Sequence, residues 1–202
     1  MPSRVDIVIF HDDPPPPGEQ RYVPGAGPWT GARVDEPDER WTQWYDVLAE
    51  RVRGALGWRV LDLQHIGSTS VPGLAAKPII DIDLVVADAA DEAAYLPALE
   101  ARGFELQVRE PWWFEHRVLR HTDPRCHLHV FGPEAPEPVK HRIFRDWLRG
   151  NPDERDLYAA TKREAAEAAR AAGEHSMQYN ARKEKVVREI YARAFAAAGL
   201  VD

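Results

Sequence analysis

The stretch His65-Ile66-Gly67-Ser68-Thr69-Ser70-Val71-Pro72-Gly73-Leu74-Ala75-Ala76-Lys77-Pro78-Ile79-Ile80-Asp81-Ile82-Asp83-Leu84-Val85-Val86 decides how the chain is read. It opens on a Gly-Ser turn with three consecutive hydroxyls and runs into an apolar segment interrupted only by Asp81 and Asp83. Side chains alternate along a strand, so positions i and i+2 share a face. A strand over 79–86 projects both carboxylates from one side and sends Ile80, Ile82 and Leu84 into the other. Two carboxylates so close repel each other and lose hydration, which calls for a cation. A hard divalent ion with oxygen ligands meets that need. The plainer alternative is a sheet edge facing water. Against it, Ile79-Ile80 and Leu84-Val85-Val86 point to a strand buried on both faces.

The whole chain of 202 residues fits one domain of ordinary size with an extension or small lobe. With 44% hydrophobic and 29% charged residues it has the make-up of a soluble globular protein. A formal charge of -7 argues against bulk nucleic-acid binding. Cys126 is the single cysteine, which excludes an intramolecular disulfide framework and suits a reducing compartment. The N-terminus Met-Pro-Ser-Arg-Val-Asp-Ile-Val-Ile-Phe-His-Asp-Asp is too short and charged for a signal-peptide core. No apolar run approaches the roughly 18 residues of a membrane span. The expectation is a cytoplasmic protein without a membrane partner.

Outward from the key stretch, residues 4–10 are β-branched and read as a short strand. Pro14 to Pro17, Gly18, Pro24, Gly25, Gly27, Pro28 and Gly31 then forbid regular structure. Residues 1–35 therefore read as an extension, packed over the core or partly mobile. Its proline run is a loop or a motif for a proline-reading domain. Asp38 caps a helix in which Trp41, Trp44, Tyr45, Leu48, Val52 and Leu56 recur at helical spacing, and Gly57 stops it. Residues 58–65 form a strand feeding the turn. Residues 87–103 read as a helix and 104–108 as a strand. A strand pair, 112–119 and 126–131, turns at His121-Thr122-Asp123-Pro124, with Cys126 as a small core residue. Beyond the prolines of 132–138 the chain is helical, with one stripe of Val139, Ile143, Phe144, Trp147 and Leu148 and further helices over 153–172 and 178–198. The expected division is an extension 1–35, an α/β core 36–135 and a helical region 136–202.

Strand, Gly-Ser turn near a short helix, then a strand with alternating aspartates resembles the nucleotidyltransferase superfamily, the polymerase-beta-like fold. The longer run from His65 to Asp81 resembles the GrpB family, also described as an uncharacterised UPF-type family. It is similar, too, to a domain fused behind dephospho-coenzyme A kinase in some bacteria. His127-Leu128-His129-Val130, Phe144-Arg145-Asp146-Trp147-Leu148-Arg149, Tyr158 with Lys162 and Tyr179 with Lys183 agree with that family. The resemblance runs from about Trp41 to Phe195 and leaves out the first 35 residues.

The resemblance implies an α/β (α+β) fold, a mixed sheet flanked by helices with a C-terminal helical segment. It implies a nucleoside triphosphate whose phosphates meet Gly67 and Ser68. Magnesium or manganese held by Asp81 and Asp83 would orient it and stabilise the departing pyrophosphate. Active members of the superfamily carry a third carboxylate on a later strand, usually as base. Here that strand carries histidines, so His129 is the expected base, with Glu110 and Glu115 as alternative acids. Lys77 either reaches a phosphate or neutralises the aspartates. Arg145, Lys162 and Lys183 are further expected phosphate contacts, as is Arg117. Arg145 and Asp146 are adjacent on one helix and are expected not to pair. Trp112 and Trp113 stack a base or fill the core. The functional expectation is magnesium-dependent transfer of a nucleoside monophosphate, AMP first, to a small-molecule or protein acceptor. Asp81, Asp83 and His129 would be catalytic. The alternatives are a non-catalytic module for a nucleotide or coenzyme A precursor, and protein interaction through the extension.

Overall fold

Five strands, β1 (Asp62–Ile66), β2 (Ile80–Val85), β3 (Glu105–Glu110), β4 (His116–Thr122) and β5 (Arg125–Phe131), form one mixed sheet in the order β1-β2-β5-β4-β3. β2 and β5 run parallel, and the other neighbours are antiparallel. The computed structural model describes residues 2–11, 14–28 and 33–201, so Gly31 of the extension lies outside the described residues. The helices are α1 (Arg4–Val8), α2 (Arg40–Leu56), α3 (Leu96–Glu100), α4 (Glu137–Gly150), α5 (Pro152–Ala171) and α6 (Ser176–Ala197). This is the mixed, helix-flanked sheet that the resemblance implied.

The sheet has two unlike faces because β2 alternates. Ile80, Ile82 and Leu84 are fully buried, and with Leu63, Leu128 and Val130 they pack under Trp41, Leu48, Val52 and Leu56 of α2. Leu99 of α3 and Phe104 close that core. Each such side chain contributes roughly 1.5–3 kcal/mol through burial. The other face carries Asp81, Asp83, His127 and His129, which an apolar layer cannot cover without leaving polar groups unpaired. Helices α4, α5 and α6 roof it and leave a cavity of about 470 Å³.

Several local expectations are corrected. Residues 4–10 are not a strand. Ser3 caps α1, its Oγ accepting from Asp6 N at 3.1 Å while Asp6 reaches back to Ser3 N; this local closure outcompetes the β-branched preference. The extension is packed over the core, with Val23 N donating to Gln107 O, Arg109 N to Arg21 O, and Asp35 and Ala76 exchanging two backbone bonds. Asp38 accepts from Arg40 N at 2.9 Å, but Glu39 holds the N-cap position of α2. The 87–103 helix shrinks to a 3-10 turn at Glu92–Ala94 and the five residues of α3. Pro97 has no N–H for a longer helix, and Asp88 turns the chain by accepting from Ala90 N at 2.8 Å. Residues 57–59 form a 3-10 turn, so β1 begins at Asp62. Trp112 and Trp113 sit in the turn before β4, where Phe114 and Glu115 have positive φ of 54° and 52°. Cys126 is buried in the core as expected. Among the described residues no helix is long and apolar enough to cross a membrane.

Candidate functional site

Gly67 joins β1 to the 3-10 turn Ser68–Ser70 with φ 69° and ψ -172°, a region open essentially to glycine alone. A Cβ there would lie 2.9 Å from Asp81 Cβ and closer still to its carboxylate, so the turn rests directly against Asp81. Ser70 Oγ donates to Gly67 O at 2.6 Å and Thr69 Oγ1 to Ile79 O at 3.3 Å. Ser68 is left half-buried at the cavity wall. Beneath the turn His65 stacks on Tyr45, rings 4.6 Å apart, and burial lowers its pKa to about 4. From α4, Arg145 Nη1 donates to His65 O at 2.9 Å and Arg149 Nη2 to Ser70 O at 2.7 Å. The turn is thus held from both sides through its backbone.

The parallel register sets Asp81 beside His127 and Asp83 beside His129. Asp81 Oδ1 lies 3.3 Å from His127 Nδ1. Asp83 is 1% exposed; its Oδ2 meets His141 Nδ1 of α4 at 2.8 Å, while its Oδ1 is buried with no partner. Burial works to lower the His141 pKa, but Asp83 beside it, with Glu137 and Asp81, raises it to about 9. Burial pushes His129 well below the ordinary histidine value, and the neighbouring His116, His141 and His127 push the same way.

Across the cavity, Tyr158 and Lys162 of α5 pair on one helix face, as do Tyr179 and Lys183 of α6, with each Nζ 4.9 and 5.2 Å from its ring centroid. Lys77 Nζ sits 3.9 Å over the Tyr179 ring. Burial, then Lys183, lowers the Lys77 pKa to about 8. Lys162 is 2% exposed, donates to Ala75 O, and is lowered well below its ordinary value by burial and Lys183. Asp81 works against both shifts. Crowded ammonium groups of this kind favour an anionic occupant.

Gly67, Ser68, Lys77, Asp81, His129, Lys162 and Lys183 therefore line one cavity, and Asp83 lies just beneath it. Arg145 does not line it. Besides His65 O it meets Gln64 Oε1 at 3.2 Å, and it pairs with Asp146 at 2.7 Å, contrary to expectation, because its long side chain folds back over its neighbour. Arg117 is spent on Glu92 at 2.6 Å. Neither His141 nor His116 is among the residues expected from the sequence, although their partners Asp83, His129 and Glu110 all are. The one signal for His141 was its i, i+4 spacing with Glu137 and Arg145, which sets three polar side chains on one face of α4.

Among the described residues no three His, Cys, Asp or Glu side chains are arranged to hold a metal ion. Magnesium commonly takes one or two carboxylates and fills its shell with water and substrate phosphates. Asp81 with the unpartnered Asp83 Oδ1 fits that smaller demand.

Residues 32–193 match the family model described as GrpB protein. A UPF0157 protein of Halalkalibacterium halodurans is 48% identical over 159 residues, covering 79% of this chain and 80% of the relative. A UPF0157 protein of Streptomyces coelicolor is 47% identical over 130 residues, covering 64% and 68%. A dephospho-CoA kinase of Mycolicibacterium paratuberculosis is 32% identical over 191 residues, 81% of this chain but 46% of the kinase. The crystal structure of conserved protein GrpB from Enterococcus faecalis aligns with a TM-score of 0.71 at 28% identity, covering 82% of this chain and 99% of that one. The family model covers most of the chain and the solved structure carries the same name, so the chain belongs to the GrpB family.

Proposed function

We propose that this protein is a metal-dependent nucleotidyltransferase that moves a nucleoside monophosphate from a triphosphate to a small-molecule or protein acceptor. The observation that carries the reading is the contact of the Gly67-Ser68 turn with Asp81 in a cavity crowded by Lys77, Lys162 and Lys183. The turn and the lysines bind the phosphates and balance their charge. A divalent ion held by Asp81 and Asp83 would polarise the reacting phosphate and stabilise the leaving pyrophosphate. His129, on the strand where the resemblance to the superfamily leads one to expect a third acid, would take the proton of an acceptor hydroxyl. The freed oxygen bonds to the α-phosphorus as the bond to the bridging oxygen breaks, and its electrons leave with pyrophosphate. The test is incubation with α-labelled triphosphates, ATP first, with magnesium and a metabolite pool. Labelled acceptor and released pyrophosphate are expected, both lost in Asp81→Asn. No label transfer from any of the four common triphosphates rejects catalysis.

A second reading is a binding module for a nucleotide or coenzyme A precursor, and one observation favours it: His141 already closes one Asp83 oxygen. The similarity to dephospho-CoA kinases puts coenzyme A precursors first among ligands to try. A ligand at 100 times its dissociation constant stabilises by roughly 2.7 kcal/mol under either reading. Binding without label transfer selects the module.

A further inference from the structure

A chain of three polar side chains runs away from the cavity across β5, β4 and β3. His129 Nδ1 lies 3.0 Å from His116 Nε2, and His116 Nδ1 lies 2.9 Å from Glu110 Oε2. The two imidazoles are within 9° of parallel with centroids 5.3 Å apart. A 3.0 Å nitrogen contact at that separation sets the rings end to end, so the lone pair of one lies along the N–H of the other. Phe131 stacks on His116 at 4.6 Å and Trp113 meets it edge-on at 4.9 Å, which keeps the ring from turning. Glu110 also pairs with Arg21 at 3.3 Å. A carboxylate in such a pair accepts hydrogen bonds and donates none.

The order of donors along this chain has one solution for neutral rings. Glu110 accepts, so His116 carries its hydrogen on Nδ1 and offers a lone pair at Nε2. His129 must then donate from Nδ1, which leaves its Nε2 bare. Burial keeps both rings on the neutral side. His129 Nε2 has no protein partner among the described residues, is not one of the buried unpaired atoms, and belongs to a side chain that lines the cavity.

We propose that Glu110 and His116 are positioning residues that lock His129 as its Nδ1–H tautomer, so that Nε2 accepts the hydrogen of an attacking hydroxyl. The acceptor substrate is thereby one whose attacking group carries a proton, a hydroxyl in the proposed reaction, since an ionised phosphate or carboxylate brings no proton for that lone pair. The role in catalysis rests on the nucleotidyl-transfer reading; the tautomer does not. Long-range proton–nitrogen NMR of the ¹⁵N-labelled protein reads the tautomer without any turnover. Both histidines are expected to be protonated at Nδ1 and bare at Nε2. Glu110→Leu removes the terminal acceptor and is expected to put hydrogen on His129 Nε2, whereas Glu110→Gln keeps an acceptor oxygen and restores the pattern. Protonated Nε2 on His129 in the unaltered protein overturns the proposal, and so does a Glu110→Leu spectrum that matches it. Where label transfer is observed, Glu110→Leu lowers kcat about 100-fold at unchanged KM for the nucleotide, and Glu110→Gln recovers most of the loss. Equal loss in both variants overturns the positioning role. A protein with these tautomers and no transfer overturns the nucleotidyl-transfer reading and the role in catalysis with it, leaving the locked tautomer standing.

Discussion

Gly67 and Lys162 illustrate two ways in which single residues bear strain for a site. At φ 69° and ψ -172° any other residue at position 67 is strained, costing about 1–3 kcal/mol before its Cβ meets Asp81. Gly67→Ala is expected to lower stability by at least that amount in urea denaturation, since the contact with Asp81 adds to the backbone strain. On the nucleotidyl-transfer reading it should also weaken nucleotide binding more than tenfold by displacing the turn from Asp81. Lys162 is 2% exposed, sits against Tyr158 and has no carboxylate in its hydrogen bonds. A buried ammonium without an opposite charge carries a desolvation cost that an apolar side chain of similar volume avoids. Lys162→Met is therefore expected to raise ligand-free stability by about 1 kcal/mol in urea denaturation, while on the nucleotidyl-transfer reading reducing affinity for triphosphate at least tenfold in calorimetry. A variant that binds nucleotide as the unaltered protein does would remove Lys162 from the proposed phosphate site.

At the scale of elements, α4 and the turn ahead of α3 do work that local pattern does not reveal. The stripe of Val139, Ile143, Phe144, Trp147 and Leu148 marks α4 as amphipathic, but its polar edge is what holds β1 and the Gly-Ser turn, through Arg145 and Arg149. A sequence shows that Arg145 is a cation on a helix; whether it meets a ligand or a backbone carbonyl depends on where the helix docks. Glu92 in the 3-10 turn before α3 likewise ties β3 to β4. Its hydrogen bonds to Arg109, and then to Arg117, hold its pKa down at about 2. A depressed carboxylate contributes stability above its ordinary value of 4.5 that is lost as pH falls through about 2. Glu92→Gln is expected to cost about 1–2 kcal/mol at pH 7 in thermal denaturation, with the gap to the unaltered protein closing between pH 4.5 and 2. A gap that stays constant over that range would show that the charge is not the source.

At the scale of the molecule, the N-terminal segment is part of the helical layer. Ile7 packs with Tyr191 and Phe195 of α6, Phe10 meets Tyr191 at 5.3 Å, and Arg4 Nε donates to Leu200 O at 2.7 Å. Lys140, buried on α4, reaches Glu137 and Ile9 O. Deleting residues 1–11 strips this cover, and a loss of about 3 kcal/mol is expected from the exposed apolar side chains and the half-paired lysine. Urea denaturation measures the loss, and binding of a hydrophobic dye reports the uncovered aromatics. Unchanged stability would make the segment a bystander.

The sequence by itself determined what depends on near neighbours. Period-two alternation put Asp81 and Asp83 on one face of β2 and its isoleucines on the other; helical spacing paired Tyr158 with Lys162 and Tyr179 with Lys183. The tertiary structure alone decided who completes the site. His129 reaches Glu110 only through His116 of an intervening strand, and His141 meets Asp83 from a helix 58 residues further along. These contacts follow from β5 inserting between β2 and β4 and from α4 crossing above them. Strand order and helix docking are set by how distant apolar faces pack, and no local periodicity carries that information.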